Sequence, residues 1–320
     1  MLTGLAAASV GDRTTAAAAL AATGSPQIKA GFGTIAALDG GTFYRGWRLL
    51  LAAEYTRLRG AGADALLADA QEVVQALDDS PTGVPASYPN GYWPCDAVVA
   101  MAAVVRAHQV TGRPLDAALP KKWLDRLDAA RDPATGLLAH RIDATGDVLD
   151  GARGSSQSIV QTFWPSLDES GAAGEWERFR GVFVTREAGL VGVREHPVGD
   201  PSPGDVDSGP LILGVSASAS AVTLAAARAN GDAELAASLD HEAEYLGIPL
   251  EWMGERRFAF GLLPVGDAFV AWARSVAISS AAQPQASPGE QWWWHALIAL
   301  VPGALAGVWL IRSLRRVRSP

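Results

Sequence analysis

The residues best suited to chemistry lie in the segment YPNGYWPCDAVVAM, residues 88–101. The only cysteine of the chain, Cys95, is followed directly by Asp96, and an apolar helix is expected to begin here. A carboxylate in the first helical turn accepts hydrogen bonds from unpaired backbone N–H groups and is stabilised by the helix dipole. Asp96 is therefore either a helix-capping residue or, with the Cys95 thiol, part of a pocket floor. Tyr92 and Trp93 either pack on the core or wall that pocket.

A second acidic segment, GDVDSGP, spans residues 204–210 and precedes a helix expected over 209–230. Its Asp207 either caps that helix or faces a ligand together with Asp205. Two carboxyl groups can divide acid and base roles when their environments keep one protonated and the other ionised. Asp96 and Asp207 are the predicted catalytic pair. Cys95 has no neighbouring histidine to activate it as a nucleophile, so it is expected to be a wall residue or a proton donor.

Polar and aromatic residues in other loops are further candidates for binding the substrate: Tyr44, Trp47, His140, Arg141, Glu195 and Asp205. The motif GLLAHR at residues 136–141 recurs as GLVGVR at 189–194. Arg141 therefore has a repeat counterpart and is either a structural arginine, tying its loop to a carboxylate, or a ligand-binding one. His140 occurs in one copy alone and is either a surface histidine or a functional one.

The elements that must position these residues are helical hairpins. Apolar spacing of the helical kind recurs in pairs. The expected helices lie near 43–59 and 64–78, 96–111 and 118–130, 155–168 and 174–185, 209–230 and 232–246, and 259–280. Repeated hairpins must stack, because a single hairpin cannot bury its own apolar face. The sequence therefore predicts an all-α fold, an (α/α)6 toroid whose inner helices begin at one rim around a central funnel.

Composition narrows the partners and cofactors. The 320 residues carry a formal net charge of −8, and 19% of them are charged. An acidic chain is a poor partner for nucleic acid. A single cysteine cannot form an intrachain disulfide, and no His/Cys cluster has zinc-site spacing, so neither a metal nor a cofactor is expected.

The C-terminal part of the chain has the composition of a membrane anchor. Residues 292–311 (WWWHALIALVPGALAGVWLI) carry no formal charge, and a segment of this length can cross about 30 Å of hydrocarbon. Four arginines follow in the basic tail, 312–320, which the positive-inside rule places in the cytoplasm. A polar linker, 279–291, separates this single-pass helix from a body that is expected outside the cytoplasm. Residues 1–42 lack a basic export signal and are either an incomplete N-terminal segment or the helical start of the toroid.

From about Phe43 to Arg274 the chain resembles the linalool dehydratase/isomerase family. The resemblance rests on FYRGWRLLLAAEYTRLRG at 43–60, YWPCDAVVAMAAVVRAHQVTG at 92–112, the stretch 123–149 and GDVDSGP, which follow in the order of the family. It implies an (α/α)6 domain over 43–278 that acts without a cofactor on a small alcohol. The family's cysteine ahead of the second of these helices matches Cys95, whereas its histidine position holds Trp47 and its later tyrosine falls near Ser156 or Gln157.

Three functional hypotheses follow. The first is a membrane-anchored lyase or isomerase of the hydro-lyase type, which uses carboxylates and Cys95 on a small alcohol or hydrophobic substrate. The second is a glycan-active hydrolase or lyase, because aromatic side chains in a funnel can stack on sugar rings and helical toroids often host such enzymes. The third is a non-catalytic ligand-binding or scaffold protein at the membrane. A homo-oligomer is compatible with all three.

Overall fold

A computed structural model describes residues 1–35, 37–187 and 189–279 of the chain, and it is mostly helical, as predicted. The helices are α1 Leu2–Ser9, α2 Arg13–Thr23, α3 Pro26–Ala30, α4 Gly41–Arg59, α5 Ala63–Asp79, α6 Pro94–Thr111, α7 Leu119–Arg126, α8 Gly154–Phe163, α9 Glu169–Phe183, α10 Ala217–Ala229, α11 Ala233–Gly247 and α12 Pro264–Ser275. The strands are β1 Arg141–Ile142, β2 Val148–Asp150, β3 Val184–Glu187, β4 Leu190–Arg194, β5 Leu211–Ile212, β6 Val215–Ser216, β7 Leu250–Trp252 and β8 Glu255–Arg257. Residues 1–42, predicted as either an incomplete N-terminal segment or the helical start of the toroid, contain the first three helices.

Two predicted helices begin later than their apolar spacing indicated. The helix expected over 259–280 is α12, which spans only Pro264–Ser275. Residues 211–216 form the β5–β6 hairpin instead of the first turns of a helix over 209–230. Gly209 and Gly214 have positive φ angles of 67° and 80°, a conformation that a helix excludes. Helix α10 starts only after Ser216, whose hydroxyl accepts from the N–H of Ala219. The expectation that Asp207 opens this helix is therefore wrong.

Six of the described helices contact one another in a cycle. Helix α4 packs on α6, α6 on α8, α8 on α10, α10 on α12, α12 on α1, and α1 on α4. Helices α2, α5, α9 and α11 each lie against one or two members of this cycle. Helix α6 is apolar on all sides and almost wholly buried, which fits a helix with neighbours on every face. The loops described below lie at the N-terminal ends of α6, α8 and α10.

A small antiparallel sheet in the order β3-β4-β6-β5 lies beside α10 and α11. Strand β4 contacts both helices, and the backbone N–H of Val191 within it donates to Glu242 of α11. The segment between Glu195 and Val215, which includes β5, lies over the start of α10. It thereby holds Asp205 and Asp207 near α8, although these residues do not belong to a helix.

Among residues 1–35, 37–187 and 189–279, no helix combines the length and apolar character that a bilayer crossing requires. The predicted membrane segment 292–311, the linker beyond Ser279 and the basic tail 312–320 lie outside the described residues.

Candidate functional site

The candidate site is built around the first turn of α6. Trp93 occupies the N-cap position, and the helix has no side-chain cap. Asp96 is therefore not a capping residue, although it lies in the first turn. Its carboxylate instead faces Cys95, with 3.8 Å between Sγ and Oδ1, and both residues are only 6% exposed.

Burial controls the protonation of Asp96. The loss of hydration raises its pKa from 3.8 to about 7, and the charge of Asp207 acts in the same direction. The nearby hydroxyl of Ser87 and the thiol of Cys95, which lies 3.8 Å from Oδ1, offset part of the rise. The pKa of Asp96 is consequently near neutral, and the residue can both donate and accept a proton.

Cys95 stays a thiol under the same influences. Burial raises its pKa well above the ordinary value, and the charges of Asp96 and Asp207 raise it further. A protonated, buried thiol is not a nucleophile. Its placement fits a pocket wall or a weak hydrogen-bond donor to Asp96.

Tyr88 completes this group and was missed by the sequence reasoning. Burial and the charges of Asp96 and Asp207 raise the pKa of its phenol to about 12, so it remains a hydroxyl donor. Its ring stacks on Phe43, with 5.9 Å between centroids, and meets Trp93 edge-on at 5.5 Å. Ser87 and Tyr88 lie in the turn before α6. Tyr88 belongs to the segment 88–101 singled out in the sequence, but it was given no role there, because nothing in the local sequence shows that it lies near Asp96 and Asp207.

His140 reaches the site because two loops pair. The N–H of Ile142 donates to the carbonyl of Tyr92 (3.1 Å), and the indole N–H of Trp93 donates to Nε2 of His140 (3.4 Å). His140 is 7% exposed, and within the described part of the chain its Nδ1 has no hydrogen-bonding partner. Burial, followed by the charge of Arg153, lowers the pKa of His140 to about 4, so the imidazole is neutral at neutral pH.

The two acids of residues 204–210 have different environments. Oδ1 of Asp205 accepts from the N–H groups of Asp207 and Ser208, both at 3.0 Å, and its other oxygen pairs with Arg153. Burial would raise the pKa of Asp205, but the bond from the Ser208 N–H and the charge of Arg153 lower it overall. Asp205 therefore stays ionised and holds its turn in place.

Asp207 is free by comparison. Its carboxylate has no hydrogen bond or ion pair to the residues that the structure describes, and the residue is exposed. Partial loss of hydration over the packed loops, together with the charge of Asp205, raises its pKa. Its backbone carbonyl accepts from the hydroxyl of Ser218 (2.6 Å), which fixes the loop to the first turn of α10.

A ring nitrogen of His140 and carboxylate oxygens of Asp205 and Asp207 all lie within 4.8 Å of one another. Such a set has the donor types of a divalent metal site, although the sequence predicted no metal. Arg153, which pairs with both Asp150 and Asp205, already supplies positive charge at this point.

Glu195 and Arg141 are placed outside this group. The carboxylate of Glu195 accepts from the N–H and the hydroxyl of Ser155, at 3.1 and 2.8 Å, and caps the start of α8 from a distant part of the chain. Glu195 is fully buried, and this loss of hydration raises its pKa. Arg141 is exposed in β1.

Tyr44 and Trp47 also serve the core. The hydroxyl of Tyr44 donates to the carbonyl of Thr23 (2.9 Å) in α2. Trp47 packs edge-on against Phe163, at 5.7 Å, and against Trp272, at 5.4 Å, which joins α4, α8 and α12. Tyr92 is half-buried beside the site and contributes its backbone carbonyl to the loop pairing.

In comparisons with known proteins, the chain matches no family model and no curated sequence.

Proposed function

We propose that this protein is a membrane-anchored enzyme of the linalool dehydratase/isomerase type, which removes water from a small hydrophobic alcohol or isomerises it by acid/base catalysis. The observation that carries the proposal is the placement of a buried carboxyl, Asp96, within electrostatic range of an unpaired carboxylate, Asp207. Their pKa values are both raised, by different amounts of burial, which suits one to donate and the other to accept a proton.

The proposed elimination balances with these two residues. Asp96 gives its proton to the hydroxyl of the substrate, and the C–O bond breaks to release water. Asp207 takes a proton from the adjacent carbon, and the electrons of that C–H bond form the new C=C bond. Asp96 is then ionised and Asp207 is protonated, so a proton returned through solvent resets the pair. Readdition of water at another carbon by the reverse steps would isomerise the alcohol.

The surroundings of the pair favour an apolar substrate. The rings of Phe32, Phe43, Tyr88 and Trp93 contact one another in series, and Tyr88 lies within electrostatic range of Asp96. Apolar walls with a few convergent polar groups are typical of sites for small molecules. The raised pKa values of Asp96 and Tyr88 both follow from this apolar setting.

We propose further that the helical cycle is an (α/α)6 toroid, in which α1, α4, α6, α8, α10 and α12 form the inner layer. Their pairwise contacts support it, as do the positions of α2, α5, α9 and α11 beside them. Residues 292–311 would anchor this body in a membrane. Limited proteolysis of intact cells tests the topology, because a body outside the cytoplasm is cleaved by added protease and one inside is protected.

The catalytic proposal is tested with variants of the two acids. Full-length protein is offered a panel of small secondary and tertiary alcohols in D2O, and alkene release and deuterium uptake are followed by gas chromatography with mass detection. Replacing either Asp96 or Asp207 by Asn should lower kcat about 10²- to 10⁴-fold, the usual contribution of a general acid or base.

Asp200→Asn is the matched control, because Asp200 is an exposed acid in the same part of the chain, and its carboxylate accepts from the N–H of Ser202 and lies 3.9 Å from Nδ1 of His196. It should keep turnover within about twofold, a range that corresponds to less than 0.5 kcal/mol. Unchanged turnover in both Asp96→Asn and Asp207→Asn would refute the proposal.

A further inference from the structure

We propose that His140 is a substrate-binding residue that holds an uncharged oxygen atom, the hydroxyl oxygen of the alcohol, through the N–H at Nδ1. The inference rests on the proposed function for the class of substrate, but the binding it describes is measured apart from turnover. It assigns to the site a hydrogen-bond donor in addition to the two acids.

The tautomer of His140 follows from its contact with Trp93. An indole N–H can only donate, so Nε2 of His140 must act as the acceptor in the contact at 3.4 Å. A neutral imidazole carries a single proton, which is then on Nδ1. The sequence places Trp93 immediately before α6, and the pairing of Ile142 with Tyr92 brings its ring to His140.

The N–H at Nδ1 is an unsatisfied buried donor. Within the described residues it has no partner, and the side chain is more than nine-tenths buried. Leaving such a donor unpaired is unfavourable, and native proteins rarely do so without a functional reason. An oxygen acceptor supplied by a ligand would satisfy it.

The same argument separates this role from metal binding. The group of His140, Asp205 and Asp207 has the donor types for a metal ion, with all its atoms within 4.8 Å. However, a ring nitrogen that carries a proton has no lone pair for a metal, and the other nitrogen is occupied by Trp93. Asp205 is also paired with Arg153, so the local negative charge is already partly neutralised.

An oxygen held by His140 would lie near Asp207, which is also within electrostatic range of Asp96. A ring nitrogen of His140 lies within 4.8 Å of a carboxylate oxygen of Asp207, and the charge of Asp207 raises the pKa of Asp96. A neutral donor suits a neutral hydroxyl, since it binds the oxygen without competing with Asp96 for the transfer of a proton.

The test is nitrogen-15 NMR of the full chain labelled at histidine, with His140→Asn used to assign the signal of His140. The free protein should show His140 protonated at Nδ1 and not at Nε2. Titration with 2-methyl-2-butanol should shift the Nδ1 signal, whereas 2,2-dimethylbutane, which has a similar shape and no oxygen, should not shift it.

Binding of the same alcohol provides the second measurement. His140→Asn places an amide N–H near the position of Nδ1 and should keep affinity within about threefold, whereas His140→Ala should lose about five- to tenfold, the effect of one neutral hydrogen bond. Trp93→Phe removes the indole N–H but keeps an aromatic ring, so the Nε2 tautomer should become populated.

Three results would overturn the inference: an Nε2-protonated His140 in the free protein, equal affinity of His140→Ala and the parent for the alcohol, or stoichiometric Zn²⁺ binding that His140→Asn abolishes. Binding as inferred, without turnover of any alcohol, would instead reject the proposed function alone. Turnover that depends on Asp96 while the His140 signal is unmoved by the alcohol would reject this inference alone.

Discussion

The buried carboxyl of Asp96 makes the stability of the protein depend on pH. Its pKa is about 7 in the folded chain, whereas an unfolded Asp titrates near 4. Because the folded-state pKa is raised, the stability that this group contributes is fully present below about pH 4 and is lost as the pH rises to about 7. Asp96→Asn cannot ionise and should be more stable than the parent at pH 8, by an amount on the order of 2–4 kcal/mol, with little difference at pH 4.

Urea unfolding at pH 4 and pH 8 measures this difference. Asp168→Ala is the control of opposite sign, because the hydroxyl of Ser170 and the N–H of Gly171 lower the pKa of Asp168 at the N-cap of α9. Its removal should cost about 1 kcal/mol at pH 8 and less as the pH falls toward 3. A gap between Asp96→Asn and the parent that does not grow with pH would contradict the prediction. Asp96 thus lowers stability at neutral and alkaline pH, and such a residue is better explained by function than by folding.

The residues of the site differed in how readily they could be predicted from the sequence. Cys95, Asp96 and Trp93 stand together at a helix start, and Asp207 and His140 follow recognisable loop motifs, so their residue types drew attention. Tyr88 and Arg153 did not, because their roles come from which loops meet in three dimensions. The Ile142–Tyr92 hydrogen bond and the turn held by Asp205 bring these loops together, and the local spacing of residues does not predict such contacts.

The contact between α4 and α6 depends on the absence of a side chain at Gly46. A Cβ atom there would lie 3.0 Å from the backbone of Ala100 in α6, closer than ordinary van der Waals contact. Gly46→Ala should therefore force the two helices apart and destabilise the protein by about 1–3 kcal/mol, despite the better helix propensity of alanine. Because α6 carries Cys95 and Asp96, alcohol binding should weaken as well.

Gly174→Ala is the matched control within α9. A Cβ at Gly174 meets no atom within 4 Å, and the residue is exposed. This substitution should stabilise the protein by about 0.5–1 kcal/mol, the propensity term alone. The midpoints of thermal unfolding of Gly46→Ala and Gly174→Ala, compared with the parent, test this prediction. A stabilised Gly46→Ala would show that α4 and α6 do not need this close approach.

Helices were predictable where an amphipathic pattern or an apolar run stopped at a glycine. Helix α4 ends at Arg59 and α6 at Thr111, as predicted, and each is followed by a glycine with positive φ, Gly60 or Gly112. The spacing failed at Leu211–Ile212 and Val215–Ser216, where apolar residues that fit a helical period belong to a hairpin bent by glycines. The Ala-rich helices α1 and α2 were not predicted as individual helices, since alanine gives little contrast between a buried and an exposed face.

Closure of the helical cycle depends on the first helix of the chain, which joins α12 to α4. Leu5 of α1 is 6% exposed and belongs to the main apolar core, and Gly4 beside it lies against Ala19 and Leu51. If closure is part of the cooperative fold, Leu5→Ala should lower the free energy of global unfolding by about 2–4 kcal/mol, as for other buried leucines. Ile28→Ala, at a position 46% exposed in α3, should cost less than about 0.5 kcal/mol.

Urea unfolding followed by both circular dichroism and tryptophan fluorescence separates closure from an appended helix. A closed cycle unfolds in one transition that both probes report, and Leu5→Ala shifts its midpoint without changing the slope. An appended α1 would fray first, and Leu5→Ala would leave the main transition where it is. In the closed case Leu5→Ala should also affect the site. Trp272 of α12 and Trp47 of α4 pack against Phe163 at the end of α8, and Glu195 caps the first turn of α8. Leu5→Ala should then weaken binding of 2-methyl-2-butanol although no atom of Leu5 belongs to the site, and Ile28→Ala should leave it unchanged.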